Sequence, residues 1–170
     1  MRCLTLHQPW ATLVSIGGKK IETRNWNTNF RGPLAIHASM EKKYIDMRSK
    51  YYICDKEPFY SVLQSLSDYS SPNYALYDPL PRGAVLAVCD LKDCFEILTT
   101  FSTPEQIRRP EVACVVGFLP ISDQERAFGN YTPGRFMWIL ENIRELKHPI
   151  PAKGALGLWE WTPPQDLEFK

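Results

Sequence analysis

Apolar residues recur at helical spacing near the start of the chain, where Trp10, Leu13 and Val14 fall on one face of the stretch 9–16. Pro9 suits a first helical position, because its missing N–H has no intrahelical partner there in any case. Gly17 and Gly18 follow, and glycine takes the left-handed conformation of a helix end without steric cost. The pattern therefore predicts a short helix. From 20 to 26 the period changes to two, with Lys20, Glu22, Arg24 and Trp26 on one side and Ile21 and Thr23 on the other, which predicts a strand. Gly32-Pro33 interrupts the chain before Leu34-Ala35-Ile36-His37-Ala38, a short apolar run that reads as the next strand.

Between 41 and 66 the pattern turns helical, with a break near Pro58. Ser70-Ser71-Pro72-Asn73 and Asp78-Pro79-Leu80-Pro81 then mark turns and a loop. The run Gly83-Ala84-Val85-Leu86-Ala87-Val88-Cys89-Asp90 predicts a buried strand continuing towards Phe95, and it is the strongest core candidate. Two short helices are predicted from capping boxes, one opened by Thr103 with Gln106 and one by Ser122 with Glu125. Strand patterns return at 135–143 and at Gly157-Leu158-Trp159-Glu160-Trp161, where Pro163-Pro164 stops them. Short strands with Gly and Pro turns and few helices predict an α+β chain built on a small mixed β-barrel, not a doubly wound sheet. We read 1–170 as one domain with a helical and loop insertion at about 41–80.

Composition narrows the function classes. The 20 Lys and Arg nearly balance 19 Asp and Glu, for a net charge of +1, so the chain lacks the basic excess that holds duplex DNA by charge. Any contact with nucleic acid must be local. No run resembles a signal peptide or a membrane span, which leads us to expect a cytoplasmic protein with no membrane partner. Five cysteines, an odd number without framework spacing, read as thiols. Cys89 and Cys94 lack the second pair of a zinc site, and His7, His37 and His148 are far apart. We expect no metal and no cofactor. Gly17-Gly18-Lys19 follows a helix instead of preceding one, which excludes a phosphate-binding loop of the NTPase kind.

The side chains capable of chemistry concentrate in 8–26. Glu22 and Arg24 are two apart on a strand and share a face, so Arg24 can neutralise the carboxylate or both can address one ligand. Trp26 extends that face and Trp10 comes from the adjoining helix, offering a stacking surface for a planar group. Lys19 is out of strand phase with Glu22 and must reach the site from the glycine turn or through a bulge. A charged alternating strand is otherwise a solvated face with weak surface pairs, and tryptophans are more often core residues than base platforms.

The segment Gly17-Gly18-Lys19-Lys20-Ile21-Glu22-Thr23-Arg24 is similar to Gly-x-Lys-x-x-Glu-x-Arg, the motif of ASCH domains, at all four positions. Gln8-Pro9-Trp10-Ala11, Trp26, Arg31-Gly32-Pro33-Leu34 and Ile36-His37-Ala38 resemble the coactivator-type branch of that family. The resemblance resumes at Gly83-Ala84-Val85, at Tyr131-x-Pro133-Gly134-Arg135-Phe136-x-Trp138 and at Gly154-x-x-Gly157-Leu158-Trp159, leaving out most of 41–80. It implies a PUA-like β-barrel with helices beside it and a cleft for RNA, single-stranded nucleic acid or a nucleotide. Lys19, Glu22 and Arg24 become the cleft set, with Gln8, Trp10 and Trp26 near them. Tyr131, Arg135 and Trp138 form a second aromatic and basic cluster, suited equally to stacking on nucleotides and to packing. His37 and Ser39 alternate on the second strand and are further candidates, although a lone histidine is usually a structural hydrogen-bonder.

Two other function classes stand beside the binding module. Acetylcytidine amidohydrolases of this fold use a Lys, a Thr and a Glu, and other relatives resemble ribonucleases. Here Glu22 stands where those amidohydrolases place the Thr, so the hydroxyl nucleophile is missing. Lys19 and Glu22 remain available as the acid–base pair of a metal-independent hydrolase. A protein-interaction adaptor is the third class. Its surface would be the 41–80 insertion with Tyr44, Tyr51, Tyr52, Tyr60, Tyr69, Tyr74 and Tyr77.

Overall fold

The structure is a computed structural model that describes residues 1–64, 80–101, 111–114 and 117–170. Among these are eight strands: β1 (Arg2–Leu6), β2 (Ile21–Arg24), β3 (Gly32–Ala38), β4 (Ala84–Phe101), β5 (Glu111–Cys114), β6 (Gly117–Pro120), β7 (Phe136–Pro151) and β8 (Leu158–Glu160). Three short helices accompany them, α1 (Trp10–Ser15), α2 (Phe59–Gln64) and α3 (Asp123–Phe128). The hydrogen-bonded order is β2-β7-β4-β3-β1-β8, with β5 on β4 and β6 on β5. The sheet is mixed, since β1 runs parallel to β3 and antiparallel to β8. A mixed sheet with helices beside it is the α+β arrangement expected of the PUA-like type.

The backbone divides into two compact units, both discontinuous in sequence. The first holds Met1–Gly18, Pro33–Cys89 and Asn142–Lys170, the second Lys19–Gly32 and Asp90–Glu141. The long strands β4 and β7 each contribute to both.

In the first unit Cys3, Ala35, Val85, Val88, Leu146 and Trp161 pack together, with Trp159 and Phe169 against them. The predicted apolar run in β4 supplies Val85 and Val88 to this core. Helix α1 ends as expected at Gly17, whose φ of 76° is left-handed and whose N–H bonds Val14 O at 2.9 Å. Its first turn is closed by Gln8, whose Oε1 accepts from Thr12 N at 3.1 Å.

Among the described residues, the helix predicted over 41–66 is confined to α2. Before it, Glu41 accepts from the N–H groups of Lys42 and Lys43, Asp46 from Arg48 N, and Ser49 from Tyr51 N. Short polar side chains that bond nearby amides offer the backbone turns in place of a helix. Tyr44 packs edge-on to Trp10 and near Tyr51, and Lys43 lies over both tyrosine rings. The helix expected from Thr103, and Tyr69, Tyr74 and Tyr77, lie outside the described residues.

In the second unit β2 pairs antiparallel with the start of β7, setting Glu22 opposite Trp138 and Arg24 opposite Phe136. Strand β2 is shorter than the alternation of 20–26 predicts, and a turn in which Thr28 Oγ1 accepts from Phe30 N follows it. Ile97, Ile121, Tyr131 and Met137 form the unit's core, with Ile21, Phe95, Leu119 and Ile139 packed around them.

Candidate functional site

Lys19 immediately precedes β2 and is wholly buried. Its ammonium donates to Ile21 O and lies 3.8 Å from a carboxylate oxygen of Glu22 and 3.8 Å from one of Glu125. The expected cleft lysine is therefore buried, and its named partners lie in the same unit. It reaches Glu22 from a position just before the strand, outside the alternation that places Glu22.

Glu22 is also paired from its other side, where Arg24 Nε stands 3.1 Å from its Oε1. The two-residue spacing places both on one strand face, as predicted. Their side chains differ in access: that of Glu22 is 11% exposed and that of Arg24 is 25% exposed. Trp26 is partly exposed and edge-on to the fully buried Trp138, with ring centroids 4.6 Å apart. The order along the strand is thus a clamped carboxylate, a partly exposed guanidinium and a partly exposed indole.

Glu125 is the member that sequence reasoning missed. The capping box predicted one half of its environment: Ser122 accepts from Glu125 N at 3.1 Å and opens α3. The side chain does not complete the box. It turns to β2, where Oε1 accepts from Lys20 N and from Ile21 N. Burial pushes its pKa up, against the opposing influence of Lys19 and of those two amides. Desolvation outweighs the cation because the pair is nearly closed to water.

The second aromatic and basic cluster is divided between packing and the surface. Arg135 donates through Nε to Asn130 O and through Nη2 to Thr23 O, both at 3.1 Å. It holds the loop before β7 against β2. Trp138 is in the core, and its indole N–H donates to Trp26 O. Tyr131 is buried, but its hydroxyl has no hydrogen-bond partner among the described residues.

Gln8, Trp10, His37 and Ser39 belong to the first unit. Gln8 is fully buried and bonded at both ends of its amide, to Thr12 N and, through Nε2, to Pro81 O. The side chain expected near the ligand is thus buried and hydrogen-bonded within the fold. Trp10 packs edge-on to Tyr44 and Phe59. His37 is buried beside Trp159 with Nε2 on Ala152 O at 3.0 Å, and burial lowers its pKa. Ser39 Oγ bonds His7 Nδ1. Glu22, Arg24 and Trp26 with their supports Lys19 and Glu125 remain as the candidate site.

A family model for the ASCH domain matches residues 4–150. Activating signal cointegrator 1 of Homo sapiens is 30% identical over 158 residues, covering 93% of this chain and 22% of that protein. Activating signal cointegrator 1 of Mus musculus is 29% identical over 158 residues with the same coverage. The chain spans about a fifth of the length of these relatives.

Proposed function

Because the chain belongs to the ASCH domain family, we propose that it is a binding module for RNA, single-stranded nucleic acid or a nucleotide, with Glu22, Arg24 and Trp26 as its ligand-facing set. The observation that carries this reading is the pairing on one strand face of a carboxylate and a partly exposed guanidinium, 3.1 Å apart. A carboxylate accepts from the exocyclic amine of a base, and a guanidinium bonds phosphate or base acceptors in a planar fork. Trp26 supplies a ring beside them for stacking. Lys19 has a positioning role: fully enclosed, it fixes Glu22 and does not itself meet phosphate.

Arg24→Ala is expected to weaken binding of a labelled single-stranded RNA or DNA oligonucleotide about tenfold, since hydrogen bonds to charged groups contribute roughly 1.5–3 kcal/mol. Fluorescence anisotropy at low salt measures this. Failure of the wild type to bind either oligonucleotide, or binding indifferent to the substitution, turns the assignment towards a protein-interaction adaptor.

The hydrolase reading has one observation in its favour, the two carboxylates of Glu22 and Glu125 beside one buried ammonium. Two acids whose surroundings differ are a common acid–base arrangement. The ammonium is committed to both carboxylates and to Ile21 O, however, and the site has no hydroxyl at position 22. Acetylcytidine is accordingly expected to survive incubation with the purified protein. Loss of the acetyl group at a rate abolished by Glu22→Gln would establish the hydrolase in place of the binding module.

A further inference from the structure

Helix α3 ends beside an open hollow of about 390 Å³ lined by Arg126, Gly129, Asn130, Tyr131, Thr132 and Pro133. Two features of its lining are incomplete as they stand. Arg126 has Nε and Nη2 shielded from water, and neither donates to an acceptor among the described residues. The Tyr131 hydroxyl is likewise shielded and without a partner. Buried donors left unsatisfied cost about 1–3 kcal/mol each, more when charged. Three within one small region are therefore unusual for a surface that only packs.

The surroundings are rigid where these groups meet. Asn130 N donates to Thr23 Oγ1, Asn130 Oδ1 accepts from Thr132 N and from Thr132 Oγ1, and Arg135 holds Asn130 O. Gly129 leaves no room for a side chain, since a Cβ there would come within 2.7 Å of the Tyr131 ring. Arg126 alone combines a flexible side chain with unused donors, so a small turn of its guanidinium presents a fork to the hollow.

We propose that Arg126 and Tyr131 form a phosphodiester subsite, in which the guanidinium and the phenol hydroxyl donate to the non-bridging oxygens of one phosphate of a bound single strand. The proposal rests on the nucleic-acid reading of the site on β2 and adds to it the place of one phosphate. Burial foremost, then the charges of Glu125 and Glu22, raise the Tyr131 pKa, while Arg126 opposes them. The phenol therefore keeps its proton at neutral pH and is a donor. The same two carboxylates select the ligand. They disfavour the dianion that makes up part of free phosphate near neutral pH, whereas a phosphodiester carries a single charge that Arg126 can match. Their own charge is moderated by Lys19 and Arg24.

The test follows backbone amides by NMR in the isotope-labelled chain of residues 1–170, titrated separately with the dinucleotide UpU and with inorganic phosphate, alongside anisotropy with a single-stranded oligonucleotide. UpU is expected to shift the amides of Gly129, Asn130 and Thr132, and Arg126→Gln is expected to abolish those shifts. Arg126→Gln should also weaken the oligonucleotide about tenfold and make the slope of log K against log salt shallower by about 0.7, the value of one phosphate contact on a single strand. Tyr131→Phe should weaken binding while leaving the thermal midpoint equal or higher, because the hydroxyl it removes has no partner in the free protein. A loss of midpoint equal to the loss of affinity would instead make Tyr131 structural and overturn its part. Shifts with inorganic phosphate but not with UpU would overturn the phosphodiester assignment. Weakening by Arg24→Ala with affinity and salt slope untouched by Arg126→Gln would overturn the subsite and leave the nucleic-acid reading standing. Absence of any oligonucleotide response in the wild type would overturn both.

Discussion

Replacing Lys19 by alanine is expected to lower the unfolding free energy by about 3–5 kcal/mol, the usual cost of removing one partner from a buried ion pair. The loss comes from the groups left behind. Glu22 and Glu125 each stand 3.8 Å from the Lys19 ammonium, with side chains only 11% and 12% exposed. Without the cation, two nearly dry carboxylates share one enclosure, and Arg24 neutralises only the first of them. Ile21 O also loses the donor it has in Lys19. In a domain of this size such a loss corresponds to a fall in the thermal midpoint on the order of 10 °C. Denaturant unfolding followed by circular dichroism measures it, and an unchanged m-value attributes the shift to the native state. A loss below about 1 kcal/mol would mean that Lys19 behaves as a solvated surface pair. On the proposed binding role, Lys19→Ala is expected to weaken ligand binding by releasing Glu22, and measurements well below its lowered midpoint compare like with like.

The burial of Lys19 shows where sequence pattern stops being informative. Alternation along 20–26 places Glu22 and Arg24 on one face correctly, because the pleat of a strand is a local property. Whether that face meets water depends on what covers it, and the cover is Glu125, 103 residues beyond Glu22. No local signal connects them. Ser122 and Glu125 were legible as a helix start, since a cap is read within four residues, but the same spacing cannot say that the glutamate will turn away to the amides of Lys20 and Ile21. Helix α1 and the core stretch of β4 were legible for the corresponding reason. Their spacing and bounding glycines act within the element. Strand β1 was not, because Arg2–Leu6 offers only five residues of alternation, and its identity as a strand rests on pairing with β3 and β8. Residues 41–58 failed in the opposite direction, as a helical period was overruled by side chains that cap their own turns.

Glu125→Ala and Glu125→Gln are expected to separate by about 2 kcal/mol or more, although both remove the same charge. Alanine deletes the acceptor of two backbone amides, Lys20 N and Ile21 N, and leaves Lys19 with Glu22 as its sole carboxylate. A part-buried donor left without Glu125 and a half-paired buried cation together place this variant near the 3–5 kcal/mol expected of Lys19→Ala. Glutamine keeps an acceptor oxygen for the amides and avoids the desolvation of a second carboxylate, so its loss should be small. The pH dependence distinguishes the charge from the hydrogen bonds. Burial raises the folded-state pKa of Glu125 above its ordinary value of 4.5. The folded chain therefore holds that proton where the unfolded chain has released it. The stability this contributes is complete below the ordinary value and is lost as pH rises through the raised one. Relative to Glu125→Gln, which cannot titrate there, the wild type should accordingly lose stability as pH is taken upward from below 4.5. Denaturation midpoints of the two proteins measured in parallel across that range test the sign, and a wild type that gains on the glutamine variant with rising pH would show that the Lys19 cation, and not desolvation, dominates this carboxylate.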